Sequence, residues 1–293
     1  MKRSESKSMG HAAPAPKKAI RTGGKRADSA VGTASTPVYE IYALKYAGPF
    51  TRPLAMCLWG KGWDETMDVN YYLWAVKGKD TFIVVDAGCG TTWAREQKLG
   101  HYVNPVEVLA RIGANGSNVA KVIISHLHFD HMGGMEMFPK AFPKAAFYVQ
   151  KREFDFTMKS PHSKRALFAR RDEVAIKALA DLEGTDRLTL VCGDQKIMPG
   201  IEVLLCPGHT IALQTVAVNT AKGTAIIASD LFHFHRAFME DLTSIIITDE
   251  IAWLESYDKV RSKAASVDLV FGGHDIDLST KYPRIAPDVT RLV

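Results

Sequence analysis

The chain has 293 residues, of which 46% are apolar, and this composition indicates a folded globular protein with a substantial core. The four cysteines are widely separated and form no CxxC pair, which argues against a structural zinc finger and against a disulfide-stapled secreted fold. No apolar run reaches the roughly 18 residues of a membrane span, and none follows the basic N-terminus, so we expect a cytoplasmic protein.

The net charge of +5 is concentrated at the N-terminus. Residues 1–37 contain eight Lys or Arg and two acidic residues, a net charge of +6, so the rest of the chain carries −1. These residues also have few large apolar side chains, and we predict a disordered, solubilising tail. A nucleic-acid contact, a partner-binding arm and an organelle address are the alternatives. Because phosphate binding needs a basic face on the folded domain, the near-neutral body predicts no nucleic-acid partner, and we expect no membrane partner.

The first elements predicted after the tail are strands of a core sheet. Residues 68–90 predict two strands joined by a Lys-Gly-Lys-Asp turn, and the second is a buried β-branched run that ends at Asp86. The segment "NPVEVLARIGAN" predicts a helix with Asn104 at the N-cap and Pro105 at its first position. The runs "AKVIIS" and "AAFYVQ" predict two further strands.

Helical segments separate the strands in the second half of the chain. Residues 151–187 are amphipathic and mixed in charge, which predicts helix. The runs "IEVLLCPGHT", "LQTVAVNT" and "GTAIIASD" predict three strands, followed by a helix over 249–265 that Thr248 opens and a last strand in "VDLVFGGHD". Strands in two groups, with helices between and after them, predict an α/β fold in which helices cover two packed sheets.

The segment "SHLHFDHMGG" places three histidines and one aspartate within six positions. Histidine is the commonest protein ligand for zinc and similar ions, and carboxylates complete such sites. On an extended segment His126 and His128 face the same side, whereas Asp130 and His131 follow where the chain must turn. The two glycines at the end of the segment are expected to permit a tight turn and a close approach of the backbone. We therefore predict a metal-binding loop rather than a polar surface loop.

Three more candidate ligands each follow an apolar β run: His209 in "CPGHT", Asp230 in "IIASD" and His274 in "FGGHD". With the loop they supply five histidines and two aspartates, enough for two metal ions. We assign one ion to His126, His128 and His209 and the other to Asp130, His131 and His274, with Asp230 between them. Two such ions can share a hydroxide at neutral pH and polarise the bond that it attacks. Zinc is the expected metal, and cobalt, manganese and iron are compatible with these ligands.

The same residues carry a resemblance to a known family. "HLHFDH" is similar to the HxHxDH signature of the metallo-β-lactamase superfamily. "VVDAGCG" resembles the Asp-x-Gly element that precedes this signature, in which the aspartate, here Asp86, supports the metal loop from behind. The resemblance covers about residues 38–293. It implies an αββα sandwich with a two-metal site at one edge.

Within the superfamily, the chain is most similar to the N-acyl-homoserine lactone lactonases. The similarity rests on "SHLHFDHMGG" followed by "PGHT", and on gaps of 21 residues from His209 to Asp230 and 44 from Asp230 to His274. It implies a hydrolase that opens an acyl-homoserine lactone, a quorum-quenching activity, or a related small lactone or ester. Other ester hydrolases, glyoxalase-II-like thioester hydrolases and phosphodiesterases of the superfamily are the alternatives. A homodimer is among the expected oligomeric states.

One position departs from the lactonase pattern. Where those enzymes usually carry a tyrosine three residues after the bridging aspartate, this chain has His233. A histidine can donate a hydrogen bond to a developing oxyanion and act as an acid near neutral pH, so Asp130 and His233 are the candidates that protonate the leaving alkoxide. The alternatives for His233 are a packing or supporting role and a different substrate. The neighbouring His235 is expected to lie outside the site.

The helical segment 151–187 lengthens the connection between the metal loop and the next candidate histidine. Insertions of this kind near a metal site tend to shape the pocket or an interface. Residues 153–158, Trp59, Trp63 and Met135 are candidates for an apolar pocket wall, with ordinary core packing as the favoured alternative.

Overall fold

The computed structural model describes residues 35–168 and 170–293. The prediction of a disordered tail falls mainly on residues 1–34, which lie outside the described residues. The strands in chain order are β1 (Glu40–Pro53), β2 (Thr66–Lys77), β3 (Phe82–Val85), β4 (Val119–Ile123), β5 (Ala146–Gln150), β6 (Leu188–Val191), β7 (Gln195–Met198), β8 (Ile201–Leu205), β9 (Gln214–Thr220), β10 (Gly223–Ser229), β11 (Val270–Gly272), β12 (Arg284–Ala286) and β13 (Val289–Arg291). The α-helices are α1 (Leu54–Cys57), α2 (Thr91–Glu96), α3 (Pro105–Ala110), α4 (Phe129–Met132), α5 (Phe138–Ala141), α6 (Lys151–Lys159), α7 (Glu173–Ala180), α8 (His235–Met239) and α9 (Glu250–Lys263).

The strands form two sheets. The first has the order β12-β13-β1-β2-β3-β4-β5-β6, and the second has the order β11-β10-β9-β8-β7. In the first sheet β3, β4, β5 and β6 run parallel, and in the second β10 and β11 are parallel. Since parallel neighbours end at the same edge of a sheet, the loops that follow them gather there.

Alternating side chains build three apolar layers around these sheets. In β3, Ile83 and Val85 belong to the core between the sheets, whereas Val84 belongs to the core on the outer face of the first sheet. Helices α3, α6 and α7 contribute to that outer core, and α9 covers the second sheet with the fully buried Trp253 and Tyr257. The predicted αββα sandwich is confirmed.

The capping contacts show where the helices α3 and α9 begin. The helix α3 starts after Asn104, whose side chain accepts a hydrogen bond from Val106 N, as predicted. The prediction that Thr248 opens α9 is wrong. Asp249 is the N-cap and accepts from Ala252 N, while the Thr248 hydroxyl donates to the carbonyl of Gly208 at 2.9 Å. Thr248 therefore holds the loop before His209 instead of capping the helix.

Several regions differ from the sequence prediction. Strand β1 was not predicted because residues 41–48 are largely buried on both faces, so this part of the strand lacks an alternation of apolar and polar side chains. The segment 151–187 is helical only in part, since α6 ends at Lys159, before Pro161, whose ring cannot continue a helix.

Within the described residues, no helix has the length and apolar character needed to cross a membrane.

Candidate metal centre

Loops at one edge of the sandwich bring the predicted ligands together. The segment after β4, which includes α4, carries the four residues from "HLHFDH", and the loops after β8, β10 and β11 carry His209, Asp230 and His274. The edges of the two sheets are joined directly, because Ser125 Oγ after β4 lies 2.9 Å from Ser229 Oγ at the end of β10. The fold thus places residues that are far apart in sequence around one point.

His126, His128 and His209 form the first donor set. His128 Nδ1 lies 3.0 Å from His126 Nε2 and 3.1 Å from His209 Nε2. The three ligand atoms all lie within 4.8 Å of one another. Two nitrogens bound to one tetrahedral zinc ion at about 2.0–2.1 Å are separated by roughly 3.3 Å, so the observed spacing fits a shared ion.

Asp130, His131, Asp230 and His274 form the second donor set. His131 Nε2 lies 3.3 Å from Asp230 Oδ1 and 3.6 Å from Asp130 Oδ2. His274 Nε2 lies 3.0 Å from Asp230 Oδ1 and 3.6 Å from Asp130 Oδ2. Asp230 also faces the first set, since its Oδ2 is 3.5 Å from His209 Nε2. The carboxylate of Asp230 therefore lies between the two sets, where the sequence places the bridging residue.

Buried donor atoms without partners support metal binding at this centre. In the described part of the chain, His131 Nε2 and Asp230 Oδ1 are buried and make no hydrogen bond, although they lie 3.3 Å from each other. Buried polar groups are normally paired, because an unpaired one loses its hydration without compensation. A divalent cation would supply the missing partner for both atoms. The cluster therefore has the donor types, spacing and unpaired atoms of a divalent metal site.

The charge state of the first set also suits metal binding. Burial lowers the pKa of His128 to about 3, and it lowers the pKa values of His126 and His209 well below their usual range. These three imidazoles are therefore neutral at physiological pH, with a lone pair free for a cation. Metal ligation requires this neutral form of histidine.

Asp86 lies behind the ligands and fixes their loops. Its Oδ2 lies 2.8 Å from His131 Nδ1 and accepts hydrogen bonds from the hydroxyls of Ser125 and Ser229 at 2.9 and 3.0 Å. Its Oδ1 accepts from Ser125 N at 2.7 Å. Asp86 and Ser229 both have positive φ, of 63° and 49°, a conformation that costs energy in residues other than glycine. The backbone is strained where it positions the ligands.

Close backbone approach explains the glycines around the ligands. A Cβ on Gly134 would lie 2.1 Å from Ala87 O, and one on Gly133 would lie 2.6 Å from Gly90 N. Gly133 has φ −57°, which any residue adopts. The glycines are therefore needed because the metal loop packs tightly against the loop after β3. At Gly133 the tight turn itself does not require glycine, since other residues adopt the same backbone conformation.

Three residues make supporting contacts that were not predicted from the sequence. The carbonyl of Asn70 lies 2.9 Å from His274 Nδ1, and the hydroxyl of Tyr46 donates to the carbonyl of Asp130 at 2.6 Å. Glu153 on α6 accepts from Leu127 N at 3.3 Å and from Ala212 N at 3.0 Å. None belongs to a motif, and two of the contacts use backbone carbonyls, so only the tertiary structure reveals them.

His233 lies beside the second donor set, whereas His235 does not. His233 Nε2 is 3.3 Å from Asp230 Oδ2, and its side chain is buried. His209, Asp230 and His233 have ligand atoms within 4.8 Å of one another. His235 Nε2 instead lies 3.0 Å from the carbonyl of Val267. The geometry thus separates the two histidines.

Two cavities adjoin the donor sets. The metal cavity, of about 290 Å³, is lined by Arg52, Met56, Cys57, Val69, Tyr71, His128, Phe129, Asp130, Arg170, Asp230, His233, Ile246 and His274. The side cavity, also of about 290 Å³, contacts His128 and His209 and is otherwise lined mainly by residues 153–168, 170–171 and 245–248. Both are lined by His128, Arg170 and Ile246, so they meet at the centre.

The predicted wall residues divide between the cavities, the core and the surface. Phe156 lines the side cavity, as predicted for an apolar wall residue. Met135 is fully buried in the core, while Trp59 and Trp63 are 43% and 72% exposed and line neither cavity. Met135 therefore has the core packing that was the favoured alternative, whereas Trp59 and Trp63 belong neither to these cavities nor to the core. The segment 151–187 does shape the side cavity, as expected.

Comparison with known proteins agrees with this geometry. The sequence matches the family described as "Metallo-beta-lactamase superfamily" over residues 66–274. An N-acyl homoserine lactonase from Bacillus sp. is 25% identical over 229 residues, 73% of this chain and 84% of that protein. Metallo-beta-lactamase domain-containing protein 1 from Mus musculus is 28% identical over 204 residues, 68% of this chain and 60% of that protein.

Solved structures show the same fold. The crystal structure of a quorum-quenching N-acyl homoserine lactone lactonase has a TM-score of 0.67 at 21% identity, and the match covers 86% of this chain and 98% of that one. AidC, a dizinc quorum-quenching lactonase, has a TM-score of 0.63 at 19% identity, covering 88% and 95% of the two chains. Since the matched family region spans most of this chain and includes every predicted ligand, the chain belongs to the metallo-β-lactamase superfamily.

Proposed function

We propose that the chain is a two-metal hydrolase that opens lactone rings, with N-acyl-homoserine lactones or related small lactones as substrates. The observation that carries this proposal is the pair of donor sets beside the metal cavity. The relatives named N-acyl homoserine lactonase support the lactone as substrate class. Residues 38–293 are the proposed hydrolase domain, and quorum quenching is its proposed role.

The two donor sets are proposed to hold two divalent ions. His126, His128 and His209 would hold one, and Asp130, His131 and His274 the other, with Asp230 between them. Zinc is the proposed metal, because neutral imidazoles and carboxylates suit it, and cobalt, manganese and iron accept the same ligands. When bound, such ions lower the pKa of water and polarise a carbonyl group.

Asp130 and His233 are the proposed proton carriers. Opening a lactone breaks the bond between the carbonyl carbon and the ring oxygen, while water supplies the hydroxyl of the new carboxylic acid. The leaving ring oxygen must take up a proton, and both side chains line the cavity where it would lie. His233 Nε2 can also donate a hydrogen bond to the negative charge that develops on the substrate oxygen. We propose that His233 has this role in place of the tyrosine of the lactonase pattern.

The cysteines support the proposed cytoplasmic location. All four are free, and Cys57, Cys89 and Cys206 are buried. Disulfides form mainly in oxidising compartments, so free thiols favour a reducing one.

A hydrolysis panel on zinc-loaded protein tests the substrate class. The panel contains short and long N-acyl-homoserine lactones, a simple γ-lactone, a thioester and an aryl phosphodiester. The proposal predicts the largest kcat/KM for a lactone. Preference for the thioester or the phosphodiester would overturn the lactone assignment and leave the metal assignment standing.

Ligand substitutions test the metal assignment separately. We expect His128→Ala and Asp230→Ala to lose metal and turnover together, because each removes an atom from the donor sets. His235→Ala is the matched control, since His235 lies outside these sets. Full activity of a metal-depleted His128→Ala variant would refute the two-metal proposal.

A further inference from the structure

Two arginines in the metal cavity lack the partners that the other half-buried arginines have. The half-buried arginines of the described residues are Arg52, Arg170, Arg171, Arg187 and Arg261. Arg171 and Arg261 pair with carboxylates at 2.8 and 2.6 Å, and Arg187 donates to three backbone carbonyls. Among the described residues, Arg170 has no ion-pair or side-chain hydrogen-bond partner. Arg52 has one long hydrogen bond, at 3.4 Å to the carbonyl of Thr51, and its guanidinium group also interacts with the hydroxyl of Tyr71, but neither partner carries a charge that compensates its own.

Both incompletely paired guanidinium groups line the metal cavity. Arg52 lies over the ring of Phe50 at 5.5 Å, on the wall formed with Tyr71, and Arg170 lies where the metal cavity meets the side cavity. The described residues place no carboxylate within 4.0 Å of either group. The acidic residues that line the cavity are Asp130 and Asp230, which belong to the donor sets.

The charges of this cavity favour an anion. The carboxylates of Asp86, Asp130 and Asp230, with a shared hydroxide, would balance two divalent cations, so the two arginines would leave the cavity with a net positive charge. Concentrating like charges in a partly buried cavity is unfavourable unless a negative group compensates them. A guanidinium group offers donors in a planar fork that matches a carboxylate or a phosphate group, and such charge-assisted pairs are strong. A neutral lactone could accept hydrogen bonds from these groups through its carbonyl oxygens, as backbone carbonyls do from Arg187, but it would leave their positive charge uncompensated.

We propose that Arg52 and Arg170 select substrates that carry an anionic group beside the ring or ester that is opened. This inference rests on the proposed function, because it assigns a substrate class to the same cavity. The preferred substrate is a lactone whose acyl arm ends in a carboxylate. Arg170, at the junction of the cavities, is placed to pair with an arm that extends away from the donor sets.

Matched lactones test the proposal. We would compare N-succinyl-homoserine lactone, whose arm ends in a carboxylate, with the neutral terminal amide of the same length. A third lactone with a terminal phosphonate distinguishes a carboxylate site from a phosphate site. We expect the zinc-loaded protein to have a kcat/KM at least about 10-fold higher for an anionic lactone, since hydrogen bonds between charged groups are roughly twice as strong as those between neutral groups. High salt should reduce this preference.

Arginine variants assign the preference to the two residues. Arg52→Gln and Arg170→Gln should each lower kcat/KM for the anionic lactone by about 10-fold and change the value for the neutral amide by less than about 2-fold. Arg284→Gln, which removes an exposed charge on β12, should change neither. Equal rates on anionic and neutral lactones, or a preference that survives both substitutions, would overturn the proposal while leaving the lactonase function intact.

A binding experiment gives the same test without turnover. Calorimetric titration of zinc-loaded protein with succinate and with succinamate compares a dianion with a monoanion of equal length. We expect tighter binding of succinate, and loss of that difference in Arg170→Gln and Arg52→Gln. If no lactone is hydrolysed, the proposed function fails, and the titration still decides the role of the arginines. An unchanged difference in both variants would refute that role.

Discussion

Gly273 leaves no room for a side chain beside Asp230. A Cβ at this position would lie 2.0 Å from Asp230 Oδ1, the atom that is 3.0 Å from His274 Nε2. We therefore expect Gly273→Ala to displace Asp230 and to leave fewer than two ions per chain. Metal analysis after dialysis measures this. Gly100→Ala is the control, because the nearest atom to a Cβ there is 4.0 Å away. Two retained ions in Gly273→Ala would contradict this packing argument.

The role of His233 can be separated from packing by the choice of substituent. His233→Phe keeps an aromatic ring and removes the donor that lies 3.3 Å from Asp230 Oδ2. We expect kcat for a lactone to fall by about 10²–10³-fold, the usual effect of removing one donor to a developing oxyanion, with metal content unchanged. His233→Tyr restores the residue of the lactonase pattern and should retain more activity. Equal kcat values for the two variants would indicate a packing role.

At the level of elements, α6 is connected to the centre through Glu153. Its carboxylate joins the metal loop at Leu127 to the loop that carries His209, at Ala212. We expect Glu153→Gln to weaken metal binding by the first donor set about 10–100-fold, the range for residues that orient ligands. Cobalt titration followed by absorption spectroscopy measures this affinity. Asp172→Asn is the matched control, because Asp172 also is buried and accepts from two backbone amides, but only at the start of α7. Equal weakening in both variants would contradict this role.

Glu153 also predicts a pH dependence of stability. Burial raises its pKa from 4.5 to about 7, so the folded protein binds this proton more tightly than the unfolded chain. The stability that the protonated Glu153 carboxyl contributes is therefore present at low pH and is lost as the pH rises from 4.5 towards about 7. We predict that the free energy of unfolding of the metal-free wild type falls relative to that of metal-free Glu153→Gln as the pH rises across this range. Urea denaturation at a series of pH values measures the difference, and a constant difference would contradict the prediction.

Elements with local signals could be predicted from the sequence. The helix α3 carries its own N-cap and proline, and β3 is a short β-branched run, so both were expected where they lie. Strand β1 is largely buried on both faces over residues 41–48, and the hairpin β12–β13 has strands of three residues, too short to show a period. For these strands, pairing with distant parts of the chain decides the structure.

At the scale of the whole molecule, the sequence predicts the metal ligands of the donor sets but not the residues that line the cavity around them. The metal loop is dense enough to be found as a motif, and the spacing of His209, Asp230 and His274 supported their grouping. Arg52 and Arg170 belong to no motif and are 118 positions apart, so their meeting in one cavity follows only from the fold. Sequence therefore predicts the reaction centre better than its substrate.

The central claim is that two ions in this centre enable ring opening. Chelator-treated protein would be titrated with zinc while the acid released from an N-acyl-homoserine lactone is followed with a pH indicator. Because Asp230 lies between two complete donor sets, we predict that the rate rises with zinc and reaches its plateau at two ions per chain. A plateau at one ion per chain, or full activity in the metal-free protein, would contradict the account.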